Sequence, residues 1–119
     1  MSTKPEELRN RTKSFALRIV RLFRALPRPP DAQVIGKQLL RCGTAVAANY
    51  RAVGRARSRA EFVARIGVVV EEADETVFWI EMLSDAGIVK PERLKPMLDE
   101  SNELLAIFAA SQRTARSGN

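Results

Sequence analysis

Apolar positions along the chain recur every three or four residues, and four stretches carry that rhythm. From about Pro5 to Leu26, the residues Leu8, Thr12, Phe15, Ile19, Leu22 and Leu26 are spaced 4, 3, 4, 3 and 4, which draws one stripe down one helix face. Pro5 suits a first helical turn, where its missing N–H costs nothing, and Glu6 and Glu7 complement the positive end of the helix. Pro27 and the pair Pro29–Pro30 end it. A second stripe, Ile35, Leu39, Cys42, Val46, Tyr50 and Val53, predicts a helix over 31–54, with Asp31 as its N-cap. Beside that stripe runs a line of small residues, Gly36, Gly43, Ala47 and Gly54. Glycine inside a helix costs about 1 kcal/mol relative to alanine, so the line implies close approach by a neighbouring helix; a loosely packed surface is the alternative.

Ser58 and Glu61 form an S-x-x-E capping box ahead of Phe62. From there Phe62, Ile66, Val69, Ala73, Val77 and Ile80 predict a third helix over 58–86, stopped by Gly87. Pro91 and Glu92 open a fourth over 91–113, whose stripe is Leu94, Leu98, Ser101, Leu105 and Phe108, with Pro96 close enough to the start to be tolerated. Helices of this length, about 30–40 Å each, joined by short connections, favour antiparallel neighbours. The expected fold is all-α: an up-down-up-down four-helix bundle in one domain over 1–119. No strand-period alternation and no internal repeat interrupts it.

The third helix carries more apolar surface than one face can hide. With Phe62 at zero and about 100° per residue, Phe78 falls at about 160°, Met82 at about 200°, Val68 at about 240° and Trp79 at about 260°. A lone bundle leaves much of this set wet, and such clusters mark interfaces. Val68, Phe78, Trp79 and Met82 are therefore the expected self-association surface; cover by a loop or by the next helix is the competing reading, strongest for Trp79 on the core flank.

Composition sharpens the picture in two ways. The 119 residues include 20 Lys+Arg against 14 Asp+Glu, a net charge of +6, and that charge is segregated. Residues 1–28 carry +6, residues 29–60 carry +5, residues 61–90 carry −5 and residues 91–119 are neutral. Pairing of Arg41, Arg51 and Arg55 with Glu71, Glu72, Asp74 and Glu75 between adjacent helices absorbs part of this. Arg9, Lys13, Arg21 and Arg24 lie away from the first stripe and are the candidate contacts to RNA or DNA phosphates, read without sequence preference; a merely solvated face is the alternative. Base-stacking platforms are not evident, because Phe15 and Tyr50 belong to apolar stripes and Phe23 lies beside one.

The second consequence is chemical. With no histidine and one cysteine, Cys42, the chain has no Ser-His-Asp or Cys-His triad, no His-based metal site and no disulfide. No phosphate-loop motif occurs. The only clustered carboxylates are Glu71, Glu72, Asp74, Glu75 and Glu81; a Mg²⁺ or Mn²⁺ site built from them is the outlying reading, salt bridging to arginine the ordinary one. The expectation is no enzyme, no cofactor and no metal. The polar N-terminus does not read as a signal peptide and no stretch approaches a membrane span, so a soluble, cytoplasmic protein with no membrane partner is expected.

The middle of the chain carries a recognisable pattern: Arg41, small residues, Asn49-Tyr50-Arg51, Arg55-Ala56-Arg57-Ser58, Glu61-Phe62, then Glu71-Glu72-Ala73-Asp74-Glu75-Thr76 through Trp79. It resembles the bacterial four-helix proteins encoded by intervening sequences in large-subunit ribosomal RNA genes, over about residues 10–110. Many members carry Glu where this chain has Ala52, which removes one carboxylate partner. The resemblance implies a protomer that assembles into a ring, typically a homopentamer, and implies no defined activity. A similar bundle, the accessory variability protein of diversity-generating retroelements, is a basic pentamer that contacts nucleic acid. Within the shared pattern, Asn49 at the stripe edge needs partners for its amide, and Arg51 and Arg55, four apart, are spaced to meet carboxylates such as Glu72 and Glu75 of the same or a neighbouring protomer. The first functional reading is a non-catalytic, ring-forming bundle whose basic surface binds RNA or DNA; the second is a protein-interaction scaffold in which charge serves only solubility.

Overall fold

The computed structural model describes residues 4–118. They form four helices, α1 (Pro5–Ala25), α2 (Pro30–Val53), α3 (Arg59–Asp85) and α4 (Pro91–Arg116), in a body of 48 × 23 × 21 Å. No strand occurs among the described residues. Contacts between successive helices run in opposite directions along the chain. On the α1/α2 seam, Gly36 lies against Leu26 and Phe23, Gly43 against Ile19, and Gly54 near Arg9. On the α2/α3 seam, Arg41 meets Glu72 and Glu75 while Ala52 meets Arg65. The α3/α4 seam has Gly67 beside Gln112 at one end and Ile80 facing Leu94 and Leu98 across a shallow cleft at the other. This is an all-α four-helix bundle with antiparallel neighbours.

Three of the four helices start on proline, at Pro5, Pro30 and Pro91, whose fixed φ suits the first turn and whose lost N–H is one no helix needs there. For α2 this corrects the expected cap: Pro29 takes the N-cap position and Asp31 lies inside the first turn, where its charge faces the positive helix end. Ser58 caps α3 as the motif requires, its hydroxyl accepting from the Glu61 amide at 3.0 Å. The return half of the box is missing, because the Glu61 carboxylate turns to Arg65 (2.8 Å) and Arg57 (3.9 Å). At the other end Gly87 adopts φ +71°. Its amide bonds Ser84 O and the Ile88 amide bonds Leu83 O, each at 3.0 Å, the paired bonds of a Schellman stop that only a residue tolerant of positive φ can make cheaply. The fourth helix runs through Pro96 and ends at Arg116, three residues beyond the expected end.

The core is the inner face of all four helices, with Phe15, Ile19, Leu39, Val46, Ile66, Val69, Ile80, Leu83, Leu104 and Phe108 essentially solvent-free. Tyr50 packs its ring on Phe108, centroids 5.0 Å apart. The first two stripes point inward as spaced, apart from a half-buried Leu22. On α4 the buried line is Leu94, Met97, Ser101, Leu104 and Phe108, and Leu98 and Leu105 are half-buried. That line starts with a step of three where the expected one took four; a helix with leucines on two adjacent lines leaves the choice to its neighbours. On α3 the core is rotated to include Thr76 and Leu83, with Phe62 and Val77 at the rim. The two buried threonines satisfy their hydroxyls on their own helices: Thr12 donates to Leu8 O (2.9 Å) and Thr76 to Glu72 O (2.7 Å).

Candidate functional site

The small-residue line on α2 separates into two kinds of position. A side chain on Gly36 would overlap the end of Leu26, and one on Gly43 would come within 3.0 Å of Ile19; both are buried, so these glycines let α1 lie close. Gly54 has ordinary clearance. Four residues beyond Ala47 on the same line stands Arg51. There the seam opens into a groove of about 460 Å³. Arg9 and Lys13 line it from α1, Arg51 from α2, and Ala47 and Ala48 line it with methyl groups. Asn10 and Thr44 complete the wall, and no carboxylate lines it. Arg9, Lys13 and Arg51 are exposed and make no ion pair among the described residues. Arg9 also reaches toward Gly54 and Tyr50. Burial pushes the Tyr50 hydroxyl above its ordinary pKa, and the Arg9 charge pulls the other way.

Of the four expected phosphate contacts, the structure thus brings Arg9 and Lys13 to one groove. Arg21 and Arg24 are exposed further along α1, about 18–22 Å from Arg9 by the 1.5 Å rise per residue. Arg51, read from sequence as a partner for acidic side chains, belongs with Arg9 and Lys13; the spacing Gly43, Ala47, Arg51 along the α1-facing line was the available signal.

Several charges elsewhere are paired across or along the helices. Arg41 pairs with Glu72 Oε2 at 3.4 Å and with Glu75. Glu75 also accepts from the Trp79 indole N–H at 3.1 Å. That indole bond first, and Arg41 second, hold the Glu75 carboxyl below the usual carboxylate range, and the pairing with Glu75 raises Arg41. Arg51 and Arg55 do not join this network. Asn49 is half-buried, and its side-chain amide makes no hydrogen bond among the described residues. Two basic residues that pattern reading passed over are structural. Arg11 clamps α1 to α4, donating to Glu100 (2.7 Å) and Glu103 (2.9 Å), across the seam where those helices touch least; pairing with Glu100 raises its pKa. Arg65 donates to the Ala52 carbonyl at 3.0 Å and so closes the C-terminal end of α2. Cys42 is fully buried, and burial pushes its thiol above the ordinary range; it packs as a small apolar side chain. The α3 carboxylates do not converge: no group of three or more His, Cys, Asp or Glu stands together as a metal site among the described residues.

The outward face of α3 holds the expected apolar set. Phe78 and Val68 are 50% and 44% exposed, and Trp79 and Met82 are half-buried. Phe78 and Trp79 meet edge to face, 4.8 Å between centroids. Val34, 60% exposed on α2, extends the patch. It lies seven residues before Arg41 and Met82 lies seven after Glu75, so the Arg41–Glu75 pair sets the two side by side in the antiparallel register. Sequence spacing alone could not join them, because they sit on different helices. No helix among the described residues is long and apolar enough to cross a membrane.

A family model described as 23S rRNA-intervening sequence protein matches residues 6–110. No curated protein matches the chain. Among solved structures, a 1.70 Å crystal structure of a protein of unknown function from the S23 ribosomal protein family, from Bacteroides thetaiotaomicron, is similar to it. Sequence identity is 29%, the match covers 92% of this chain and 97% of that one, and the TM-score is 0.84.

Proposed function

We propose that this chain, which belongs to the 23S rRNA-intervening sequence protein family, is a non-catalytic bundle that assembles with copies of itself and presents a basic surface to RNA or DNA. The observation that carries the reading is the division of the surface. Arg9, Lys13, Arg21, Arg24 and Arg51, which make no ion pair among the described residues, gather on α1 and its seam with α2, where Leu17 is also exposed, while three exposed apolar side chains, Val34, Val68 and Phe78, stand on the far side of α2 and α3. The apolar side suits a contact between copies; the ring of five that the family resemblance implies would repeat the basic side around its circumference. A field of one sign repeated in that way attracts phosphate backbones without reading bases. Arg55 and Asn49, which have no side-chain partner among the described residues, are available to carboxylates and amides of a neighbouring copy.

The test is a gel shift at about 50 mM salt, where phosphate contacts are strongest. Wild type should retard single-stranded and duplex probes alike, and the triple reversal Arg9→Glu, Arg21→Glu, Arg24→Glu should abolish retardation while native mass is unchanged. No retardation by wild type at that salt removes the nucleic-acid reading and leaves the protein-interaction scaffold.

A further inference from the structure

We infer that the groove between α1 and α2 is a discrete binding site for phosphate groups, a proposal that rests on the nucleic-acid reading only for the identity of its natural ligand. The chemistry of the walls is the first argument. Three cationic side chains, Arg9 and Lys13 one helical turn apart on α1 and Arg51 across from them on α2, converge on one cavity that no carboxylate lines. Three cations that reach across to a neighbouring helix elsewhere are answered: Arg11 by Glu100 and Glu103, Arg41 by Glu72 and Glu75, Arg65 by the Ala52 carbonyl. Here three like charges share a groove with none, an arrangement that a multiply charged anion relieves. The small side chains between the cations are the second argument. Ala47 and Ala48 put only methyl groups on the α2 side of the groove, which leaves room for a tetrahedral group whose oxygens two guanidinium forks can grip in pairs while an ammonium adds a point charge. Asn10 supplies a neutral donor. Thr44 does not, since its hydroxyl already donates to Leu40 O at 2.7 Å.

Two sources offer the same group: the backbone of a nucleic acid and a free oligophosphate. The full-length protein at 0.1 M salt is titrated with tripolyphosphate and, separately, with an eight-residue oligothymidylate, by calorimetry and by amide chemical shifts. Tripolyphosphate should bind wild type and move the amides of Lys13, Ala48 and Arg51. Arg51→Gln should weaken it roughly tenfold or more, the loss of a charge-assisted contact. Ala48→Glu should abolish it by placing a carboxylate one turn before Arg51. Arg21→Gln should leave it nearly unchanged, because Arg21 lies about 12 Å along α1 from Lys13 and about 18 Å from Arg9, beyond the screening length of about 10 Å at this salt. Ala48 and Arg51 are exposed, and a far-ultraviolet spectrum identical to wild type verifies that both variants are folded. Displacement of tripolyphosphate by the oligonucleotide assigns the groove to a nucleic-acid backbone; tripolyphosphate binding that the oligonucleotide does not disturb upholds the groove as an oligophosphate site and refutes only a nucleic-acid backbone as its ligand. Absence of tripolyphosphate binding by wild type, or equal weakening in Arg21→Gln and Arg51→Gln, overturns the site, even if the oligonucleotide still binds.

Discussion

Gly36 and Gly43 face the same neighbour from the same helix, yet replacing each with alanine should have different consequences. Either change removes the cost of glycine in a helix interior, a gain of about 1 kcal/mol. At Gly43 the new methyl would stand 3.0 and 3.1 Å from Ile19 Cγ1 and Cγ2. Ile19 is completely buried and branched at Cβ, with one favoured rotamer in a helix, so it cannot swing aside and α1 must be pushed away. Overpacking of this kind costs about 1–3 kcal/mol, and the net is a loss of about 1 kcal/mol. At Gly36 the overlap is with the end of the Leu26 side chain, which is flexible and sits where α1 has already ended, and the nearby Phe23 ring is only half-buried. Leu26 can turn, and Gly36→Ala should come out near neutral. The assay is urea unfolding followed by circular dichroism at one fixed protomer concentration, since association adds to apparent stability. The two variants should differ by about 1 kcal/mol, or roughly 4–8 °C in Tm for a domain of this size, with unchanged m-values. Gly43→Ala more stable than wild type, or level with Gly36→Ala, would refute the claim that α1 and α2 are held at closest approach by the bare backbone at Gly43.

Arg11→Gln should cost about 1 kcal/mol and should lower hydrogen-exchange protection in the first half of α1, because the clamp to Glu100 and Glu103 crosses the seam where α1 and α4 touch least; unchanged protection there would contradict the clamp. Glu75 has a folded pKa below its ordinary value of 4.5, through the Trp79 indole first and Arg41 second. Its contribution to stability is therefore fully present above about pH 4.5 and is lost as pH falls through the lower folded value. Since Trp79 is the only tryptophan, its fluorescence should titrate with a midpoint below 4.5, and that step should vanish in Glu75→Gln; a midpoint above 4.5 would show that the indole bond and the arginine do not act on the carboxylate.

The helices were legible from the chain because each has its own periodic stripe and its own stop signals: the prolines before α2 and α4, the Ser58 cap, and Gly87. What the stripes did not carry was the rotation of a helix that has apolar residues on more than one line. On α4, Leu98 and Leu105 compete with Met97 and Leu104, and the winner is decided by the face that α3 presents. Cross-helix pairs were readable in kind but not in partner. The basic α2 and acidic α3 implied pairing, and Arg41 pairs with Glu72 and Glu75; Arg51 and Arg55 do not, because the first turns toward α1 and the second lies beyond the end of α2. Arg11 escaped notice for a similar reason: its carboxylates are 89 and 92 residues away, on a helix whose charges sum to zero. The basic groove needed the three-dimensional seam, since Arg51 and the pair Arg9–Lys13 come from separate helices and from opposite ends of them.

Half of the Phe78 ring and much of Val34 and Val68 lie in water in a single copy. For Phe78 alone that is about 100 Å², about 2.5 kcal/mol at 25 cal/mol per Å² if a contact between copies removes it. The mass of the native protein in solution, measured by light scattering at micromolar concentration, tests this most directly. Wild type should have a mass that is a multiple of 13.3 kDa, and Phe78→Ser with Trp79→Ser should fall toward 13.3 kDa or aggregate. A wild-type protein that stays at 13.3 kDa, or a double variant with the wild-type mass, would contradict it.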